Sequence, residues 1–465
     1  MSAFKQSMRK LGVRAGLLAG ASAAVLAIGG VTAGGAMATP TCPQPTVNIQ
    51  GMGSSLQRVS EELWTGRVVP SATGLPIGTT AHTALVPATG YAITCGSSPA
   101  VSYTSTGSGP ALKAWRFTGS GSIETESKTL AFIGSDDAPT AAQIKNAEEA
   151  TSGGVATGAK PIIVPVMQTS ISVPVNMPAE CVPTGGITYQ DLNNLFNGTI
   201  KKWSELSTVT EPKKAKCITE QGADEIERVV RNEGSGTTYQ FKNYLSVLET
   251  TTGIKAAGPG CELGTWAALR EIAAEEKPNI TWPSCAGRST IHKAAGGGAV
   301  AEYVKLNANT IGYAALPDAK GKGAAVASLQ NGEPEGSKTY AEPGKEVEEA
   351  NCGSRVYTVP VGGRSGEGAE AIDWSGVFGA SPKVGSAYPL CTLTYAIGWS
   401  KYSKAGFGTE AEALKTVENV KAYLTYVLNE AQGIKHWYAG LPNGGGVLAN
   451  NVLGAGTTAV TKLNK

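Results

Sequence analysis

An arginine, three hydroxyl residues and two glycines stand together in Arg231-Asn232-Glu233-Gly234-Ser235-Gly236-Thr237-Thr238. The β-like run Ile226–Val230 leads in, and Tyr239, Phe241, Tyr244, Leu245 and Val247 lead out with helical apolar spacing. A strand, a tight loop and a helix start would gather free backbone N–H groups, hydroxyls and the positive end of a helix dipole at one point, with Arg231 beside them. Such a point favours an anion. In a chain with 60 glycines the plain alternative is a turn. A phosphate loop of the nucleotide-hydrolase kind is excluded, because it needs a lysine where this chain has Thr237.

Two further stretches repeat the pattern. Val47–Gln50 runs into Gly51-Met52-Gly53-Ser54-Ser55-Leu56 and then a helical pattern from Gln57, where Ser54 or Ser55 could serve as the cap. Val101–Thr104 runs into Ser105–Gly109, and Pro110 opens a helix through Leu112, Trp115 and Phe117. A fourth strand, Leu130–Gly134, ends in Ser135-Asp136-Asp137-Ala138-Pro139-Thr140. Its two carboxylates suit a metal, a cap for the helix beginning near Thr140, or an acceptor facing a ligand. Further metal ligands are lacking nearby, and the cap suits one of the pair.

The elements that must position these loops alternate between strands and helices. Pro161–Met167 and Ile171–Val175 are two extended apolar runs, and Thr188–Leu206 is a helix capped by Thr188. Residues 256–307 are taken as a decorated insertion. Thr310–Leu316, Val356–Val361 and Cys391–Ile397 are strands, and Gly332–Gly353 is an acidic loop. Glu410–Ala431 is an amphipathic helix with Leu414, Val417, Val420, Leu424, Val427 and Leu428 on its apolar face.

Lys5, Arg9, Lys10 and Arg14, an apolar run from Ala15 and the small residues Ala36-Met37-Ala38 form a secretory signal, with cleavage expected after Ala38. An exported chain follows, in the periplasm or on the outer face of the envelope. Losing those four basic residues leaves 35 against 37 acidic ones, so the formal charge moves from +2 to −2. That balance argues against nucleic acid as a partner. Eight cysteines without a Cys-x-x-Cys motif point to disulfides, here read neighbour to neighbour: Cys42–Cys95, Cys181–Cys217, Cys261–Cys285 and Cys352–Cys391. His82, His292 and His436 lie far apart, so neither a metal centre nor a cofactor is expected.

Gly51–Leu56, Tyr103–Gly109, Gly134–Pro139, Ile187–Leu206, Arg231–Thr238, Thr310–Tyr313 and Tyr388-Pro389-Leu390 come in the order found in the phosphate-binding subunit of bacterial phosphate ABC importers, a group of periplasmic-type solute-binding proteins that this chain resembles. The resemblance implies a two-lobed α/β fold with two crossings between lobes and a ligand cleft between them. Lobe I would hold 39–166 and 316–465; lobe II would hold 167–315, with an insertion at about 257–305. Inorganic phosphate would be the ligand, a membrane permease the partner, and the chain a monomer without enzymatic activity. By position, Ser55, the N–H of Leu56, Ser108, Asp137, Arg231, Ser235, Gly236 and Thr237 would hold the anion. Asp137 would accept the proton that phosphate keeps and sulfate lacks. Leu56 stands where the family often has an aromatic residue, and Glu233 where it usually has aspartate. Two rival readings are a secreted phosphate-ester hydrolase with Ser108 or Ser235 as nucleophile, which lacks a base in any motif with these serines, and a cell-surface protein that has kept the fold without the ligand.

Overall fold

The computed structural model describes residues 49–64, 68–70, 76–79, 101–123, 125–152, 155–156, 158–222, 225–254, 264–272, 277–283, 290–332, 339–344, 350–352, 357, 372–377, 387–429, 437–443 and 451–464. The signal sequence, Cys42–Cys95, Cys261–Cys285, His82, His436 and most of the expected strand Val356–Val361 lie outside them.

In chain order, β1 (Ile49–Gly53) leads to α1 (Arg58–Trp64), and the short β2 (Val68–Pro70) pairs with β3 (Pro76–Thr79). Next come β4 (Val101–Ser105), α2 (Ser108–Ala114), β5 (Leu130–Ser135) and α3 (Ala141–Glu149), and then the small pair β6 (Thr151–Ser152) and β7 (Val155–Ala156). The long β8 (Pro161–Ser172) and β9 (Val175–Asn176) precede α4 (Tyr189–Asn197), α5 (Lys213–Gln221), β10 (Glu227–Arg231) and α6 (Gly236–Thr252). The chain continues through α7 (Trp266–Arg270), α8 (Lys277–Ile280), β11 (Ile291–Ala294), α9 (Gly296–Leu306), β12 (Thr310–Gly312), β13 (Ala314–Ala315) and α10 (Leu316–Lys322). It closes with β14 (Leu329–Gln330), β15 (Tyr340–Ala341), β16 (Cys391–Trp399), α11 (Glu410–Asn429), β17 (Tyr438–Ala439) and α12 (Val452–Lys462).

These strands build two main sheets. The larger has the order β13-β8-β16-β5-β1-β4, with β17 against β8; the smaller has the order β11-β10-β12-β9. β1 is parallel to β4 and β5, and β10 is parallel to β11 and β12. Ligands of open α/β sheets collect outside the carboxyl ends of such strands. The Gly/Ser loops after β1, β4, β5 and β10 all leave from those ends. The chain passes between sheets twice, at Val173-Pro174 and at Tyr313, and there the two segments run side by side: Ile311 pairs with Val175, and Ala314 with Ser172.

Several elements differ from the sequence-based expectation. The two runs at 161–175 are one strand as far as Ser172, because β16 pairs with it from Pro161 to Ser170 and β13 with Ile171 and Ser172, so the change of sheet falls at 173–174 and not at 167. The helix from Thr188 stops at Asn197, where Gly198 takes a left-handed φ of 82°. Thr140, and neither aspartate, caps α3, with Gln143 completing a capping box. Within the expected insertion, β11 is a strand of the smaller sheet and α9 packs on that sheet. Trp266 and Trp282 from the same region join Phe196, Phe241 and Tyr313 in an aromatic core. Leu414 is exposed on α11, while Val417, Val420, Leu424, Val427 and Leu428 are buried. Cys181–Cys217 and Cys352–Cys391 are disulfides.

α1 is fixed to α11 through a buried acid. The Tyr423 hydroxyl donates to Glu61, and burial pushes that carboxyl up from 4.5 to about 8, with the tyrosine contact opposing it. A folded-state pKa above the unfolded one means that the fold holds the proton more tightly. The associated stability is complete below about pH 4.5 and is lost as pH rises through about 8. Thermal unfolding between pH 5 and pH 8 is expected to show a falling melting temperature that Glu61→Gln flattens; an identical slope in both proteins would contradict it.

Candidate functional site

Asp136 follows the last residue of β5 and is 1 % exposed. Hydroxyls from three separate segments donate to its carboxylate: Ser54 after β1, Thr394 in β16 at 2.9 Å and Thr237 at the start of α6 at 3.1 Å. Its main-chain N–H donates to Ser108 Oγ at 3.2 Å, and Gln240 Nε2 donates to its carbonyl at 2.7 Å. Burial raises the pKa of this carboxyl, while the hydroxyls of Ser54, Thr394 and Thr237, and then the charge of Arg231, favour the ionised form.

Arg231 ends β10, is also 1 % exposed, and carries the cation of the cluster. Its Nη1 donates to Ser55 Oγ at 2.9 Å, and its Nε donates to Glu233 at 2.7 Å, with a second guanidinium nitrogen on the same carboxylate oxygen. That oxygen also accepts the Gly296 N–H at the amino end of α9, 3.1 Å away. The longer glutamate thus spans from the arginine to a helix terminus. The Arg231 N–H donates to the Tyr313 hydroxyl at 3.2 Å, and Tyr313 shares a 2.6 Å hydrogen bond with Thr238. Tyr313 is the residue at which the chain returns between sheets, so the crossing is tied directly to the loop.

Close approach explains the glycines. Gly109 donates its N–H to the Gly234 carbonyl at 2.9 Å, joining the start of α2 to the loop after β10. A Cβ on Gly236 would lie 2.5 Å from Ser108 Oγ and 2.9 Å from both Asp136 Cβ and the Asp137 nitrogen. Gly236 and Thr237 open a 17-residue helix, and the first N–H groups of a helix have no acceptor within it. Ser235 caps that helix by accepting the Thr238 N–H at 3.2 Å, and its hydroxyl proton stays available.

Ser55, Ser108, Arg231, Ser235, Gly236 and Thr237 therefore come together from three loops, after β1, β4 and β10. Leu56 belongs to the same loop, but its N–H donates to Ser54 Oγ at 3.0 Å. Beside the expected Asp137, it is Asp136 whose carboxylate meets the hydroxyls of Ser54, Thr394 and Thr237. The Ser135 hydroxyl donates to the Asp137 carbonyl at 2.6 Å and accepts its N–H at 3.2 Å, a tight turn that separates the two carboxylates. Burial, and then Glu271, push the Asp137 carboxyl well above its usual range, and Arg270 opposes them. The sequence offers Ser54 only as a helix cap and Asp136 only as one of two candidate acceptors, and it does not single out Gln57 or Thr394. Gln57 donates to Thr394 Oγ1 and to the Tyr395 carbonyl at 2.8 Å, so it braces the strand that supplies Thr394. The one available signal was Thr392 and Thr394 as polar positions in an otherwise apolar strand.

A hollow of about 500 Å³ adjoins the cluster, bordered by Ser55, Arg58, Thr106, Glu233, Gly297 and Lys322. Among the described residues, no group of three His, Cys, Asp or Glu side chains could hold a metal, and no helix is long and apolar enough to cross a membrane.

Residues 78–431 match the PBP superfamily domain. The phosphate-binding protein PstS of Pasteurella multocida is 28% identical over 217 residues, covering 46% of this chain and 50% of the relative, so the chain spans about half of that protein's length. Among solved structures, the high-affinity periplasmic phosphate-binding protein PfluDING, bound with phosphate, superposes with a TM-score of 0.53 at 18% identity, covering 90% of this chain and 99% of the other. A phosphate-binding protein from Stenotrophomonas maltophilia gives a TM-score of 0.50 at 17% identity, covering 83% and 84%. These likenesses establish the two-lobed α/β fold.

Because the Gly236 Cα faces Ser108 and Asp136 without spare room, Gly236→Ala is expected to force the loops apart and destabilise the chain by roughly 1–3 kcal/mol. Denaturant unfolding checks this, and a variant as stable as the parent would contradict the close packing.

Proposed function

The chain belongs to the PBP superfamily, and from that premise we propose that it is an exported solute-binding protein that captures inorganic phosphate between its lobes and delivers it to the membrane permease of an ABC importer. The observation that carries the proposal is the Asp136 cluster. An ionised carboxylate offers about four acceptor positions. Ser54, Thr394 and Thr237 fill three of them, which leaves one for a proton brought by the ligand.

Phosphate at neutral pH brings that proton and sulfate does not. The N–H groups of Gly236 and Thr237, the hydroxyls of Ser55, Ser108 and Ser235, and the remaining N–H bonds of Arg231 supply donors for the other oxygens. Sulfate would set a bare oxygen against Asp136 in a water-poor site, a repulsion with no hydrogen bond to offset it. Glu233 and Gly296 fix the guanidinium, so its charge is in place before the anion arrives.

Binding without turnover is favoured over ester hydrolysis. Ser108 Oγ accepts the Asp136 N–H and Ser235 Oγ accepts the Thr238 N–H, and neither has a described histidine as hydrogen-bond partner. His292 stacks on Tyr303 instead, with ring centroids 3.5 Å apart.

Calorimetric titration at pH 7 is expected to show saturable phosphate binding, with sulfate weaker by on the order of 10⁴. Asp136→Asn should narrow that ratio at least tenfold, and Asp137→Asn should leave it unchanged. Equal affinity for the two anions in the parent chain, or a ratio sensitive to Asp137 and indifferent to Asp136, would refute the assignment.

A further inference from the structure

The helix that presents Gly236 and Thr237 is held from outside by a segment of its own lobe. Asn279 of α8 is fully buried, and its carboxamide is matched to a single residue of the anion loop. The side-chain oxygen accepts the Ser235 N–H at 2.9 Å, and the side-chain nitrogen donates to the Ser235 carbonyl at 3.3 Å and to the Arg270 carbonyl at 2.7 Å. Ser235 is the N-cap of α6 and is extended, with φ −136° and ψ 124°. A side chain that grips both main-chain groups of a cap residue sets where the next two N–H groups aim.

The grip is itself anchored. Lys242, on α6 and completely buried, donates from Nζ to the carbonyls of Leu269, Asn279 and Thr281 at 3.0, 2.7 and 2.7 Å, and lies 4.3 Å from the centre of the Trp282 ring. Residues 265–272 and 277–282 are therefore referenced to the N-cap of α6 through Asn279 and to its second turn through Lys242. An ammonium buried among carbonyls is a costly way to attach a loop unless its position matters.

We propose that Asn279 is a positioning residue for anion binding, setting the direction of the Ser235-Gly236-Thr237 donors without touching the ligand. The inference rests on the phosphate-binding function proposed above. Only an amide of this length offers an acceptor toward the Ser235 N–H and a donor toward its carbonyl. Alanine leaves that N–H without an acceptor, and aspartate keeps the acceptor but loses the donor and adds a negative charge behind the anion loop.

The test measures inorganic phosphate affinity by calorimetry together with the melting temperature of ligand-free protein, for the parent chain, Asn279→Ala, Asn279→Asp and Thr265→Ala. Thr265 caps α7 through the Ala268 N–H at 3.2 Å, in the same segment but away from Ser235, so its variant reports stability alone. Asn279→Ala is expected to lose affinity roughly ten- to a hundredfold, as removal of outer-shell partners does at other preorganised sites, and Thr265→Ala to lower the melting temperature with phosphate affinity within twofold. Asn279→Asp, nearly isosteric, serves where alanine does not fold, and it too should lose at least tenfold. Unchanged affinity in the Asn279 variants, or an equal loss in Thr265→Ala, overturns the positioning role while phosphate binding by the parent stands. A parent chain that binds no phosphate overturns both.

Discussion

A carboxylate taken out of water must be met by donors, and Asp136 is met by hydroxyls that no single segment could bring. Ser54 comes from the loop after the first strand, Thr394 from a strand more than 250 residues further along, and Thr237 from the helix that follows β10 of the other sheet. That requirement accounts for much of the surrounding construction. β1, β4 and β5 run parallel, so the loops at their carboxyl ends face the same region, and glycines at 109 and 236 remove the atoms that would keep the loops apart. The two crossings lie side by side, and Tyr313 at the second of them reaches the loop that carries Arg231. Closure around the acid and the geometry of the crossing are thus one mechanical unit.

The charge of the site is arranged in series. Asp136 faces hydroxyls, Arg231 stands beside Ser55, Glu233 holds Arg231, and the amino end of α9 holds Glu233. Each ionised group has a partner of opposite sign or a helix terminus next to it, which limits the cost of burying it. Glu233 carries the series on to α9 through the Gly296 N–H.

The loops were readable because glycine and hydroxyl residues after a β-like run have few uses other than turning and presenting N–H groups. Arg231, Ser235, Gly236 and Thr237 stand in a stretch that such chemistry marks out. Which of two adjacent aspartates faces the hydroxyls was not readable, since the choice depends on a turn made by the Ser135 side chain, and β5 is buried on both faces and shows no alternation to follow. The end of α4 at Gly198 and the continuity of β8 were missed for a related reason: pairing with a distant strand and one left-handed glycine overrode local periodicity. The segment carrying Asn279 looked like decoration because its polar and glycine-rich composition hides two tryptophans that belong to the core.

The central claim is that the Asp136 carboxylate takes the hydrogen of a bound oxyanion. A crystal structure of the phosphate complex tests it most directly. The account predicts one phosphate oxygen about 2.5–2.7 Å from an Asp136 oxygen, the short distance of a charge-assisted hydrogen bond, with Arg231 on the remaining oxygens. Phosphate bound elsewhere, or bound between the lobes with Asp137 in that role and Asp136 still closed upon Ser54, Thr394 and Thr237, would contradict it.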